Sequence, residues 1–339
     1  MSANPLSIAI LGAGATGCYF GSLLSLAGFS VTLLGRPRIV EQVQHNAGVT
    51  LSDYSGWQQK VMPSQVIAEP GAEKFAVVFV MVKAQQLATI AADLERITRP
   101  DSTIYLMQNG LIADTLLATW LPQRRVLRGI TQFNVVTQGN AHFHKSTQGD
   151  FILADSPAAQ TILSQWHQQL PEQSTALQVT PNIQAIINGK LLLNLNNALN
   201  ALADKPIKQE LLDRRLRRVL AAAMEEWLAV CRAANHEVAQ LAAVKPTLVI
   251  KILRLPTWLF RLVARSMLAI DASARSSMWD DIQQGRKTEI EFLNQAVCKR
   301  ASTYQLAAPV NQRIAEFIQQ LEQGHDIRAA FANWLKTFA

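Results

Sequence analysis

Lys190, Asn194 and Asn197 stand four and three residues apart in the segment GKLLLNLNNALN, residues 189–200. At about 100° per residue they share one face of a helix, and Leu191, Leu192, Leu195 and Leu199 occupy the other. An ordinary solvent-facing surface mixes Glu with Lys. An ammonium with two carboxamides beside an apolar face is different, because polar groups buried there need partners. A bound carbonyl or carboxylate supplies them; a hydrogen-bond network between helices is the alternative on composition alone. A second polar cluster lies downstream, in RSSMWDD (275–281) and GRKTEIE (285–291). Residues Glu289 to Ala301 read as a helix, and Glu289 follows Thr288 near its start. Its carboxylate there either serves a ligand or caps the helix and complements its dipole.

Such groups need something to react with, and the amino-terminal stretch IAILGAGATGCYF, Ile8 to Phe20, is a source. Gly12, Gly14 and Gly17 have the spacing G-x-G-x-x-G. The motif alone is weak, but its surroundings are those it requires. Ser7 to Leu11 reads as a buried strand, Thr16 to Ala27 as a helix, and Ser30 to Leu34 as the next strand after Gly28. In a dinucleotide-binding unit the first glycine permits the tight turn and the second lets the pyrophosphate approach the backbone. The third lets helix and strand pack closely, and the helix amino terminus offers N–H groups to the phosphates. The cofactor set is therefore Gly12, Ala13, Gly14, Ala15, Thr16 and Gly17.

The end of the second strand bears on which dinucleotide binds. NAD-binding units usually place an acid there, whereas this chain reads Leu34-Gly35-Arg36-Pro37-Arg38. An acid would repel a 2′-phosphate and a guanidinium pairs with it. The expected cofactor is NADP(H), with Arg36 as the main contact and Arg38 as a helper; two solvated loop arginines are the alternative.

The remaining elements build outward from this unit. Val49–Leu51 and Trp57–Met62 read as a hairpin through Ser55-Gly56, Ala76–Val82 as a buried strand before Lys83, and Gln85–Arg96 as helical. Thr103–Met107 is another strand, ending at Gln108-Asn109-Gly110. Ligands of open α/β sheets lie outside the carboxyl ends of the strands, so Lys83 and Asn109 are expected to line the cofactor site; Asn109-Gly110 as a plain turn is the alternative. Residues 126–154 read as antiparallel strands finishing the sheet, followed by a short helix (Ala158–Gln169) and a strand near Ala176–Val179. The domain boundary is expected near Pro181, and helical spacing dominates from Asn182 onward.

Composition sets the outer bounds. The chain has 339 residues, enough for two cores, and 49% of them are hydrophobic. Its formal charge is +7, but Lys and Arg are dispersed rather than gathered with aromatics into a nucleic-acid-reading motif. Anionic small molecules account for that charge equally well. Cys18, Cys231 and Cys298 are odd in number and widely spaced, neither a disulfide framework nor a metal-ligand set. A reducing cytoplasm is expected, with no metal and no signal peptide.

Taken together, the ordered motifs resemble the ketopantoate reductase (2-dehydropantoate 2-reductase) family along nearly the whole chain. The resemblance rests on GAGATG, Arg36, Lys83, Gln108-Asn109-Gly110, the Lys190/Asn194 helix, and SSMWDD followed by Gly285-Arg-Lys-Thr-Glu289. It implies an α/β Rossmann-type NADP-binding domain, residues 1–180. An all-α substrate and catalytic domain follows, residues 181–339, resembling the carboxyl-terminal domain of 6-phosphogluconate dehydrogenase, with a cleft between the two. It implies hydride transfer from NADPH to the C2 carbonyl of ketopantoate, giving pantoate for pantothenate and coenzyme A biosynthesis. Lys190 matches the catalytic lysine and Glu289 the acid that contacts the substrate hydroxyl. Asn109, Asn194, Asn197 and Ser277 are assigned to substrate binding, and Lys83 with Asn109 to the nicotinamide side.

The chain departs from the family at two places. The family's helix often carries another Asn eight residues beyond the lysine, where this chain has Ala198, with Asn197 one position earlier on nearly the same face. Residues Val244 to Ile270 look longer than the corresponding stretch of a compact member. They are apolar, with interspersed Lys245, Lys251, Arg254, Arg261 and Arg265. Those charges argue against a membrane span. A cover over the helical domain or a subunit contact is expected ahead of a membrane-touching surface. Reduction of another 2-oxo acid or ketone, and a non-catalytic NADP-binding sensor, are the competing functions. The expected partners are a small 2-oxo acid and, at most, a second copy of the chain; no nucleic acid is expected.

Overall fold

A computed structural model describes residues 6–111, 123–170, 175–265, 267–269 and 271–338. The chain divides into two compact units. One comprises Met1–Gln108 with Ile112–Ile183; the other comprises Asn109–Leu111 with Gln184–Ala339.

The first unit is an α/β sandwich around a parallel-rich sheet. Its elements in chain order are β1 (Ser7–Leu11), α1 (Ala15–Leu26), β2 (Ser30–Leu34), α2 (Pro37–His45), β3 (Val49–Asp53), β4 (Gln58–Val61), β5 (Gln65–Ile67) and β6 (Phe75–Val80). There follow α3 (Ala91–Ile97), β7 (Thr98–Leu106), β8 (Arg125–Thr131), β9 (Val135–Thr137), β10 (His142–Lys145), β11 (Phe151–Ala154), α4 (Pro157–Gln169) and β12 (Leu177–Thr180). The main sheet has the order β12-β11-β8-β7-β6-β1-β2-β5. β1 lies inside it, third from the β5 edge, parallel to β2 with Ile8 beside Val31 and to β6 with Ile8 beside Val77. Continuous apolar runs suit this place, because a central parallel strand is covered on both faces; Ile8, Ala9 and Ile10 are wholly buried. Phe20 of α1 packs against Phe79 and Phe151 from the sheet and Trp166 from α4, which joins the layers.

Two expectations need correction here. Residues 126–154 do not simply finish the sheet as antiparallel strands. β8 runs parallel to β7, and only β11 is antiparallel to β8. β9 and β10 leave to form a second sheet of order β4-β3-β10-β9, where β10 is parallel to β3. Alternating apolar residues mark a strand but do not name its partner, and β10 pairs with a strand far away in sequence. The stretch after Lys83 begins as a 3-10 turn, Ala84–Ile90, before α3.

The second unit is helical: α5 (Ile183–Ala203, belonging to this unit from Gln184 onward), α6 (Ile207–Leu212), α7 (Arg214–Ala233), α8 (Pro246–Arg254), α9 (Thr257–Val263), α10 (Ser277–Gln283), α11 (Asn294–Thr303), α12 (Pro309–Glu322) and α13 (Arg328–Lys336). α7 is the hub, packed by α6, α8, α11, α12 and α13. Its Glu226 also accepts the N–H groups of Val310 and Asn311 at 2.8 and 3.0 Å, satisfying donors that the start of α12 leaves open. Leu191, Leu192, Leu195 and Leu199 of α5 are buried in the same core, each stabilising it by roughly 1.5–3 kcal/mol.

The stretch 244–270 covers this core. Val249, Ile250, Ile252 and Leu253 of α8 and Phe260 of α9 are buried in it; Ser266 and Ile270 lie outside the described residues. Arg217 of α7, itself 1% exposed, ties the cover down. Its Nε donates to the Leu253 carbonyl at 3.0 Å, Nη1 to Leu211 at 2.8 Å and Nη2 to Leu255 at 2.8 Å, and the guanidinium lies over the Phe260 ring. Among the described residues, no helix is long and apolar enough to cross a membrane.

Candidate active site

In the first unit the glycine turn closes as its spacing predicts. Gly12 has φ +102°, and a Cβ there would stand 2.5 Å from the Val82 nitrogen. The N–H groups of Gly12 and Ala13 both donate to the Leu34 carbonyl, at 3.0 and 2.8 Å, pinning the turn to the end of β2. A Cβ on Gly17 would meet the Gly12 carbonyl at 2.4 Å, so close packing of α1 demands glycine, whereas one on Gly14 would meet nothing within 4 Å. Gly14 is also the cap residue of α1, without a side-chain cap, and the first turn (Ala15, Thr16, Gly17) holds no acid. A close approach left open at Gly14, at a helix amino terminus without an acid, fits a dinucleotide's pyrophosphate.

Arg36 and Arg38 are exposed at the start of α2, directly after β2. Lys83, also exposed, follows Val82, the residue that abuts Gly12. This end of β6 is braced by a side chain that belongs to the Gln108-Asn109-Gly110 motif but had no role assigned from sequence. Gln108 is buried, its Nε2 donates to the Val80 and Val82 carbonyls at 2.8 and 3.1 Å, and its main-chain carbonyl accepts from Arg128 Nη2 at 3.0 Å.

Within the helical unit, a narrow recess is lined by Asn197, Ser277, Met278, Asp281, Glu289 and Leu293. Lys190 and Asn194 are half-buried on the same α5 face as Asn197, two turns and one turn earlier; they are not among the lining residues. Ser277 opens α10, whose cap is Ser276: the Ser276 hydroxyl accepts from the Trp279 N–H at 3.2 Å and donates to the Asn197 carbonyl at 2.9 Å. Asp281, buried at the recess, accepts from Arg286 Nε at 2.7 Å. Ala198, by contrast, is wholly buried in the apolar core.

Glu289 is not the first turn of a long helix. It precedes a 3-10 turn, Ile290–Phe292, and α11 starts only at Asn294 after Leu293 breaks the run with ψ −103°. Its carboxylate makes no cap bond. Thr288 does that work, its hydroxyl accepting from the Ile290 N–H at 3.2 Å while its own N–H donates to Glu322. Glu289 Oε2 instead accepts from Asn109 Nδ2 at 3.3 Å. The Asn109–Leu111 segment lies on the 3-10 turn, with the Leu111 N–H donating to the Phe292 carbonyl at 2.9 Å. A Cβ on Gly110 would stand 2.2 Å from that carbonyl, and Gly110 has φ +78°.

The family model of ketopantoate reductase PanE/ApbA matches residues 8–158, and its carboxyl-terminal companion matches residues 182–322. The chain belongs to the ketopantoate reductase family. A 2-dehydropantoate 2-reductase of Archaeoglobus fulgidus is 23% identical over 323 residues, covering 94% of this chain and 98% of the relative. One of Halobacterium salinarum is 27% identical over 322 residues, covering 93% and 98%. Among solved structures, a PanE/ApbA family ketopantoate reductase from Ralstonia eutropha superposes with a TM-score of 0.78 at 22% identity, covering 94% of this chain and 99% of that one. A D-mandelate dehydrogenase solved with NADH and anilino(oxo)acetate superposes at 0.76 with 19% identity, covering 94% and 99%. These likenesses show the fold: a Rossmann-like amino-terminal unit followed by the family's helical carboxyl-terminal unit. The family is one of oxidoreductases that use a nicotinamide cofactor.

Proposed function

We propose that the chain reduces the C2 carbonyl of ketopantoate to the hydroxyl of pantoate, with NADPH as the reductant, in the cytoplasmic route to pantothenate and coenzyme A. The nicotinamide, when bound, supplies the hydride. In this reading residues 1–180 hold the cofactor and residues 181–339 the substrate.

The chain's own residues bind, orient and move the proton. N–H groups of the Gly12–Gly17 turn take the pyrophosphate. Arg36, helped by Arg38, pairs with the 2′-phosphate, and the absence of an acid after β2 leaves room for that charge. Lys83 and Asn109 serve the nicotinamide side. Lys190 stabilises negative charge as it develops on the carbonyl oxygen and transfers a proton from Nζ to it. Asn194, Asn197 and Ser277 hold the substrate, and Glu289 accepts from its hydroxyl. The main support is the convergence of Asn197, Ser277 and Glu289 on one recess, with Asn109 hydrogen-bonded to Glu289.

A second reading, reduction of another 2-oxo acid, is favoured by Ala198. Its methyl, buried in the apolar core, offers no carboxamide where the family often carries an asparagine. Initial rates of NADPH and NADH oxidation, measured with ketopantoate and 2-oxo acids varied at C3, separate the two. The highest kcat/KM is expected with ketopantoate and NADPH. Tight NADPH binding without turnover of any 2-oxo acid would point instead to a non-catalytic sensor.

A further inference from the structure

Glu210 is the most deeply buried acidic side chain among the described residues, 1% exposed. From α6 it faces α5, where its Oε2 accepts from Asn200 Nδ2 at 2.6 Å. Asn200 is wholly buried and uses the rest of its carboxamide as well. Nδ2 also donates to the Lys205 carbonyl at 2.9 Å, and Oδ1 accepts the Ser276 N–H at 2.8 Å. Ser276 then reaches Asn197 through its hydroxyl and caps the helix that begins with Ser277. A hydrogen-bonded chain therefore runs from Glu210 through Asn200 and Ser276 to the main-chain carbonyl of Asn197, and Ser277 follows Ser276 directly; both Asn197 and Ser277 line the recess.

We propose that Glu210 is a positioning residue for the substrate side of the site, acting through Asn200 and Ser276 to set where Asn197 and Ser277 stand. The inference rests on the ketopantoate reading for its kinetic part only. Two orphan atoms support it: Glu210 Oε1 and Asn196 Oδ1 are buried without hydrogen-bond partners, and Asn196 is the second carboxamide against this carboxyl. A proton on Oε1 turns that atom into a donor, which suits the buried place of Glu210 between two carboxamides. Burial agrees, outweighing the nearby carboxamides of Asn200 and Asn196 and raising the Glu210 pKa to about 8. The groups that face the carboxyl are Asn196 and Asn200. Ionised residues close to it in sequence are engaged with other groups: Asp204 with Arg275, Asp213 with Arg215, and Arg217 with the Leu211, Leu253 and Leu255 carbonyls. Lys205 is exposed and contributes only its carbonyl.

Glu210→Gln, Glu210→Ala and Asn200→Ala test this in the full chain. At pH 7 Glu210→Gln should keep KM and kcat within about twofold, because a carboxamide reproduces the donor and acceptor of the neutral acid. Glu210→Ala and Asn200→Ala should raise KM by roughly tenfold, the equivalent of one net hydrogen bond, with a smaller change in kcat. Wild-type KM should climb as pH passes about 8 while that of Glu210→Gln stays level. Amide exchange of residues 275–279 provides a readout that needs no substrate. It should quicken about tenfold in Glu210→Ala and Asn200→Ala and stay at the wild-type rate in Glu210→Gln. Unchanged exchange in both alanine variants overturns the proposal whatever the substrate is, as does an alkaline rise in KM that Glu210→Gln shares with wild type. Absence of turnover in the wild type, with the exchange pattern as expected, counts against the ketopantoate reading and leaves the positioning chain standing.

Discussion

Asn109 and Glu289 are joined by a hydrogen bond, Nδ2 to Oε2 at 3.3 Å, across 180 residues of sequence. Asn109 follows a strand of the α/β unit, yet with Gly110 and Leu111 it packs as part of the helical one. A bond to a half-buried carboxylate is worth about 1 kcal/mol here, below the fully buried range. A double-mutant cycle of Asn109→Ala and Glu289→Ala should therefore be non-additive by about fivefold in kcat/KM. Strict additivity would mean that the two side chains act separately.

The three glycines of the turn should respond differently. Gly14→Ala should leave the melting temperature nearly unchanged, since its Cβ meets nothing within 4 Å, while weakening dinucleotide binding. Gly17→Ala places a Cβ 2.4 Å from the Gly12 carbonyl, so overpacking by about 1–3 kcal/mol should lower the melting temperature before any ligand is added. Thermal melts paired with cofactor titrations separate the two effects. Equal destabilisation by both substitutions would refute the assignment of the open position to the pyrophosphate.

In the proposed reading, the choice of cofactor rests on Arg36. Arg36→Ala removes a charge-assisted bond of about 1.5–3 kcal/mol and should weaken NADPH roughly ten- to a hundredfold, leaving NADH nearly unaffected. Fluorescence titrations of both dinucleotides decide it. Parallel losses would take Arg36 out of the phosphate site.

Lys190→Ala should bind NADPH almost as the wild type does, because the glycine turn and Arg36 belong to the other unit. Its kcat should fall by about 10²–10⁴-fold, the usual range for loss of general acid catalysis. A near-normal kcat with a substrate that the wild type reduces well would end the proton-donor role.

Arg217→Ala tests stability rather than chemistry. It leaves the carbonyls of Leu211, Leu253 and Leu255 without their donor, at a cost of about 3 kcal/mol or more. For a unit of this size that corresponds to a drop of roughly 6–12 °C in melting temperature. Arg217→Lys should recover only part of it, since one ammonium cannot span three carbonyls held by a planar fork. A melt unchanged in Arg217→Ala would show that the α8–α9 cover is held by its apolar contacts alone.

Short-range physics made much of this protein readable from sequence. The strand, glycine turn, helix and strand from Ser7 to Leu34 follow one another directly, and each glycine constraint acts on a residue nearby or on the adjoining strand. The polar face of Lys190, Asn194 and Asn197 was equally legible, because helical periodicity alone sets it. Tertiary structure decided the rest. Neither the burial of Ala198 nor the use of Glu289 follows from local spacing, which allowed a capping role that Thr288 fills instead. The second sheet, the place of Asn109 in the helical unit, the clamp by Arg217 and the Glu210–Asn200–Ser276 chain all depend on partners distant in sequence. A residue's type shows that it needs a hydrogen-bond partner, but only packing determines which distant group supplies it.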